Sequence, residues 1–258
     1  MQALQPKRQR IPVSQLPNDF IFGINTVGEA LTAGGLRRLF VSAGDSKRLQ
    51  KLVEEAQAAK IPVERLEDAP WFSALKEFAH QGVAGITRPF LGSLLGEVVP
   101  QLPETAAVLL VDGVNDPQNL GAVIRCAAAA GAAVVLPKHG VAPINATVHK
   151  VSAGATYRTP IILGENLAQS IAFLKKHGFW VAALDAHSGE SMFSFEFPRR
   201  TAFIVGSEER GVRRLLKDKS DYRLTIPMQA GVESLNLGVS AALALFFFRA
   251  YWERGGSA

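Results

Sequence analysis

Cysteine is almost absent from this 258-residue chain. The single Cys126 excludes an intrachain disulfide. The five histidines show no ligand spacing with it or with each other, so no metal is expected. A membrane-length hydrophobic run is missing too. The most apolar stretch, near the C-terminus, covers only about fifteen residues, short of a span. It contains Ser240 and Arg249, so it reads as a buried helix. The N-terminus has no apolar segment of the secretory kind. No G-x-G-x-x-G occurs, which leaves a nicotinamide-dependent oxidoreductase without its fingerprint. Internal repeats and low-complexity tracts are lacking as well. Charge of one sign is scarce: the net charge is only +5. It divides as +2 up to residue 100 and +3 after it, so neither half is a strongly basic nucleic-acid module.

What is present is a rhythm of strands and helices. Residues 1–17 hold Lys7, Arg8 and Arg10 and no acid, and read as a basic tail or a cleaved presequence. The expected compartment is accordingly the cytoplasm, or an organelle matrix. Strands are predicted at 36–42, 61–66 and 80–86, with helices at 26–31, 46–60 and 70–79. This makes 18–89 a small α/β domain. Pro89 and the two prolines and two glycines that follow it mark 90–104 as a linker. From 105 to 258 the alternation is stronger. Strands are predicted at 108–111, 132–136, 160–163, 180–184, 201–205 and 222–226. Helices are predicted at 117–130, 145–153, 166–177, 210–217 and 238–252. Continuously apolar strands between helices imply a parallel sheet covered on both faces.

Three strand-to-loop junctions carry polar residues where α/β proteins bind ligands. The first runs Asp112-Gly113-Val114-Asn115-Asp116-Pro117-Gln118-Asn119-Leu120-Gly121-Ala122-Val123-Ile124-Arg125. Asn119 and Arg125 lie about 120° apart on an ideal helix, so they converge only if Asn119 sits in the loop or first turn. Arg125 is equally consistent with a solvated or carboxylate-paired surface residue. The second is Val205-Gly206-Ser207-Glu208-Glu209-Arg210-Gly211. There Gly206 allows close backbone approach to a ligand, and Glu208 alternatively just complements a helix dipole. The third runs from Ile226 through Met228 to Ser234-Leu235-Asn236, where Ser234 or Asn236 is also a candidate cap for the last helix.

Together, N-D-P-Q-N-L-G-A-V-I-R, I-V-G-S-E-E-R-G and I-P-M-(x)-S-L-N resemble, in order, the three motifs of the SpoU/TrmH branch of the SPOUT methyltransferases. The first half, with F-G-I-N-T-V-G-E-A-L and H-Q-G-V, resembles the L30e-like RNA-binding domain of the 23S rRNA guanosine 2′-O-methyltransferases. The resemblance implies a SPOUT domain with a deep trefoil knot, S-adenosylmethionine as cofactor, an RNA ribose as substrate, and a homodimer that completes the site. It implies Arg125, Asn119, Glu208, Ser234 and Asn236 as catalytic residues. It implies cofactor contacts at Val205, Gly206, Ile226, Met228 and Leu235. Methylation of tRNA or of an antibiotic-resistance site, and a non-catalytic RNA-binding role, are the alternatives. The last helix departs from the family pattern at Leu237-Gly238-Val239-Ser240, and a glycine so near its start is expected to loosen it. Its Ala241, Leu245 and Phe248 are candidates for the dimer contact. Eight basic residues between Arg199 and Arg223 face four acids there. They read either as a solvated face or as a phosphate track that includes Arg210, Arg213 and Arg214.

Overall fold

The structure, a computed structural model, describes residues 19–256 apart from Asp45, Glu77, Glu165 and Glu208. The chain forms two compact units, Met1–Phe90 and Leu91–Ala258. The basic tail expected over 1–17 lies outside the described residues.

The first unit is a mixed sheet in the order β1-β4-β2-β3, made of β1 (Phe20–Phe22), β2 (Leu36–Val41), β3 (Val63–Arg65) and β4 (Val83–Thr87). β4 runs antiparallel to β1 and β2, while β2 and β3 are parallel. Its helices are α1 (Ile24–Thr32), α2 (Lys47–Ala58) and α3 (Phe72–Leu75). β1 was not anticipated as a strand. Its three residues are all buried, so no alternation betrays it. The helix expected over 70–79 is the single turn α3. Trp71 before it stacks edge-on against Phe20 and Phe40, and Phe78 after it packs on Phe22. Tertiary docking of these rings, rather than helix propensity, sets that segment.

The second unit opens with α4 (Leu95–Val98) and a 3-10 turn, Val99–Gln101. The segment expected as a linker thus carries structure, and Val99 is fully buried in the core below the sheet. Seven parallel strands follow: β5 (Ala106–Asp112), β6 (Ala133–Pro137), β7 (Ile161–Gly164), β8 (Trp180–Leu184), β9 (Glu190–Ser191), β10 (Arg200–Gly206) and β11 (Tyr222–Thr225). Their order is β7-β6-β5-β10-β8-β11-β9. The helices are α5 (Pro117–Ala130), α6 (Ala146–Val151), α7 (Leu167–Lys176), α8 (Arg214–Lys219) and α9 (Leu237–Glu253). β5 is buried at every position, as a central parallel strand covered on both faces must be.

α5 forms as its sequence dictates. Asp116 caps it by accepting the Gln118 N–H at 2.9 Å, Pro117 occupies its first position, and Gly131 ends it at φ 75°. α5 packs along α9, with Ala122 against Gly238 and the Arg249 Nη1 donating to the Ala129 carbonyl at 3.1 Å. Gly238 therefore does not loosen α9. A Cβ there would meet Ala122 Cβ at 3.3 Å, so the glycine permits the close approach of the two helices. Ala241, Leu245 and Phe248 are 0%, 0% and 6% exposed. They belong to the chain's own core and are not free for a dimer contact. The outward face of α9 carries Val239 and Phe246 instead, 47% and 43% exposed. Among the described residues, no helix is long and apolar enough to cross a membrane.

Candidate active site

The strand order reverses between β5 and β10. β5, β6 and β7 extend one way, and β8, β11 and β9 the other. Gly206 ends β10 directly beside Asp112 at the end of β5. The loops that leave these two strands therefore meet at the reversal, where open parallel sheets bind ligands.

Two clefts flank this point. One, of ≈ 270 Å³, lies among the loops after β8, β10 and β11. Val205, Gly206, Ile226, Met228, Ser234 and Leu235 all line it. The other, of ≈ 460 Å³, lies among the loops after β5, β6 and β10, and Asn119 lines it. They share a wall made of Ser207, Glu209, Arg210, Gly211 and Leu237. Among the described residues, no group of three or more His, Cys, Asp or Glu is placed to hold a metal.

The shared wall has a clear local cause. A Cβ on Gly206 would overlap the backbone of Gly211 and Val212. The glycine is thus required by the loop folding back on its own strand, held by the Gly211 N–H to the Ser207 carbonyl at 2.8 Å. This differs from the expectation that Gly206 makes room chiefly for a ligand. Asn236 is the cap of α9: its Oδ1 accepts the Gly238 N–H at 2.9 Å. The same side chain donates through Nδ2 to Asn119 Oδ1 at 3.2 Å. The same side chain therefore caps α9 and ties it to the first turn of α5. Asn119 sits in the first turn of α5, but it does not converge with Arg125 in either cleft of this chain.

Arg125 is the exception. It is exposed and lines neither cleft of its own chain. Its neighbour Cys126 is no poised nucleophile. Burial pushes the thiol up, and Arg125 opposes that only in part. Glu208 lies outside the described residues.

Two acids escaped the sequence reading. Asp112 is buried, and its Oδ1 binds Arg213 Nε and Nη2, both at 2.7 Å, while Oδ2 accepts the Arg213 N–H at 2.8 Å. Asp185 binds Lys217 Nζ through Oδ2 at 2.7 Å and lines the smaller cleft. Burial alone would raise the Asp185 carboxyl. The Lys217 ammonium and the His187 N–H outweigh it and hold the group at about 2. Arg213 and Lys217 are four residues apart, so one face of a helix reaches the ends of two strands. The available signal was an acid closing each apolar strand, L-V-D and A-L-D. Arg213 is thus engaged in the fold, whereas the Arg214 side chain is 95% exposed.

Residues 106–246 match the model of the SpoU rRNA Methylase family. The chain belongs to that family. Residues 20–91 match a second model, described as RNA 2′-O ribose methyltransferase substrate binding. The chain is 36% identical over 236 residues to the 23S rRNA (guanosine-2′-O-)-methyltransferase RlmB of Xanthomonas campestris, covering 89% of this chain and 95% of that one. It is 37% identical over the same span and shares to the RlmB of Xylella fastidiosa. Among solved structures, an RNA 2′-O ribose methyltransferase at 26% identity superposes with a TM-score of 0.73 over 91% of this chain and 88% of its own. The SpoU methyltransferase AviRb of Streptomyces viridochromogenes gives 0.79 at 21% identity, over 93% and 91% of the two chains, and supports the fold alone. The same enzyme is also known in complex with the cofactor AdoMet.

Proposed function

We propose that this chain transfers a methyl group from S-adenosylmethionine to the ribose 2′-hydroxyl of a guanosine in large-subunit ribosomal RNA. The supporting observation is that two clefts share one wall at the reversal of strand order, in a chain of this family. The smaller cleft suits the cofactor. Ile226, Met228 and Leu235 offer apolar surface for an adenine ring, and Glu209 and Glu233 offer negative charge to its sulfonium and ammonium groups. When bound, the cofactor supplies an electrophilic methyl on a positively charged sulfur.

The 2′-hydroxyl is a poor nucleophile, so this chain's side chains must orient it and stabilise the oxyanion as the proton leaves. Asn119, held by Asn236, orients the ribose from the wall of the larger cleft. Arg125 supplies the cation, as an electrostatic stabiliser rather than a base, because a guanidinium hardly deprotonates. Its exposure fits service to a cleft of a second chain. The α5–α9 contacts set Arg125 level with the middle of α9, whose outer face borders an apolar cavity of ≈ 610 Å³ lined by Phe193, Leu243, Phe246 and Phe247. We take that face as the contact of a homodimer. Arg210 and Arg214 line a basic hollow beside the cofactor cleft and approach RNA phosphates. The first unit selects the RNA. The compartment that goes with this substrate is the cytoplasm.

Labelled cofactor and large-subunit rRNA lacking the modification test this reading. Label on a guanosine 2′-oxygen is expected. A protein that binds the cofactor yet labels no RNA would overturn it.

A further inference from the structure

We infer that Asp116 reads the Watson–Crick edge of the target guanine in the larger cleft, an inference that rests on the methyl-transfer reading above. The larger cleft shares a wall with the smaller one, so a nucleoside whose ribose meets a methyl donor in the smaller cleft can place its base in the larger. That cleft is mostly polar, with a small apolar floor. Val114 and Leu237, both buried, and Pro137 line it. The turn after β6 forms part of its wall and is tied to the loop after β5. The Val114 N–H donates to the Gly140 carbonyl at 3.2 Å, and the Ala142 N–H to the Val114 carbonyl at 2.7 Å. A base drawn out of its stack can lie against such a surface and be read at its edge.

Among the described residues, three acids line the cleft: Asp112, Asp116 and Glu209. Asp112 is consumed by Arg213 through both oxygens. Glu209 stands in the wall shared with the cofactor. Asp116 belongs to the larger cleft and does not line the smaller. Its Oδ1 accepts the Gln118 N–H at 2.9 Å, which fixes the carboxylate, and its Oδ2 has no partner among the described residues. Guanine is the one common base with two adjacent donors on this edge, N1–H and N2–H. Adenine and cytosine set a donor beside an acceptor, and uracil sets one donor between two carbonyls. A carboxylate accepts both guanine donors at once and leaves the other bases with an unmatched acceptor.

The test uses D116N, because asparagine caps a helix as well as aspartate does and so preserves α5. Its substrates are one rRNA fragment with either guanosine or inosine at the target. Inosine keeps N1–H and lacks the N2 amino group. The wild-type protein is expected to favour guanosine by roughly tenfold or more in kcat/KM. In D116N the guanosine rate falls by a similar factor and the preference shrinks to near one, while S-adenosylhomocysteine affinity and Tm hold. If D116N melts early, Asp116→Ser, also a capping residue, carries the same comparison. A D116N protein that folds and keeps the wild-type preference overturns the inference. Wild-type methylation of a nucleotide other than guanosine overturns it while leaving methyl transfer standing. Cofactor binding with no transfer to any RNA overturns both.

Discussion

Asn236 performs two jobs that a single substitution cannot separate but a pair can. Asn236→Ala removes the cap of α9 and the link to Asn119 together, so it should cost about 1 kcal/mol of stability and also lower turnover. Asn236→Ser restores a capping oxygen but is too short to reach Asn119. It should melt within a degree or two of wild type, a shift of a few tenths of a kcal/mol, and still turn over at least roughly tenfold more slowly. Equal Tm and equal turnover in the serine variant would reduce the residue to a cap. Arg213 and Arg214 divide in the same way. Arg213→Glu takes the charged partner from the buried Asp112 and should destabilise by about 1–3 kcal/mol, read from urea unfolding. Arg214→Glu should leave stability within about 0.5 kcal/mol. It should weaken RNA binding and flatten the slope of affinity against salt by roughly one unit. Much of this site was legible in the sequence because chemistry-bearing residues of short reach sit at strand ends. Asn119, Gly206 and Asn236 needed no tertiary knowledge to be singled out. Asp112 and Asp185 went unnoticed because a lone acid after an apolar run signals nothing until its partner, the cap of α8 in one case and α8 itself in the other, is known.

At the scale of elements, the sheet and its long helices were readable because parallel strands buried on both faces are continuously apolar. β1 and β9 were not, and α3 was expected too long, since elements of two to four residues carry no period. α6 adds a property that pattern alone could not show. It carries His149, which is buried, accepts or donates at Thr156 Oγ1 through Nδ1 at 2.7 Å, and stacks on Tyr157. Burial lowers its pKa from 6.5 to about 4. The folded state therefore holds the ring neutral where the unfolded chain protonates it. Its contribution to stability is complete above about pH 6.5 and is lost as pH falls towards 4, to a limit of about 3 kcal/mol. α6 packs on α5, so the same acidification loosens the helix that carries Asn119 and Arg125. Urea unfolding at pH 7.5 and pH 5 should differ by about 2 kcal/mol from this group alone. The His149 ring should titrate near pH 4 by NMR, and titration near 6.5 would remove the effect.

At the scale of the whole molecule, one geometric fact asks for a second chain: Arg125 stands outside both clefts that its own chain builds. If it serves the partner's cleft, each active site needs the α5 arginine of one protomer and the β10–β11 loops of the other. Two inactive variants should then rescue each other. Arg125→Ala spoils the donated cation and leaves its own cofactor cleft whole. Leu235→Trp fills that cleft and leaves Arg125 intact. Random reassociation of equal amounts makes about half of the dimers mixed, and each mixed dimer holds one site with both parts intact. About a quarter of wild-type activity should therefore return after mixing, unfolding and refolding. Arg125→Ala alone should bind cofactor normally and be nearly inactive, since an exposed arginine adds little to the fold. A third variant sets the contact face: Phe246→Glu puts a charge on the apolar outer face of α9 and should yield monomers by sedimentation. If Arg125 instead acts on its own chain's ribose, every mixed dimer carries one dead cleft and one missing arginine. The mixture then stays as inactive as its components.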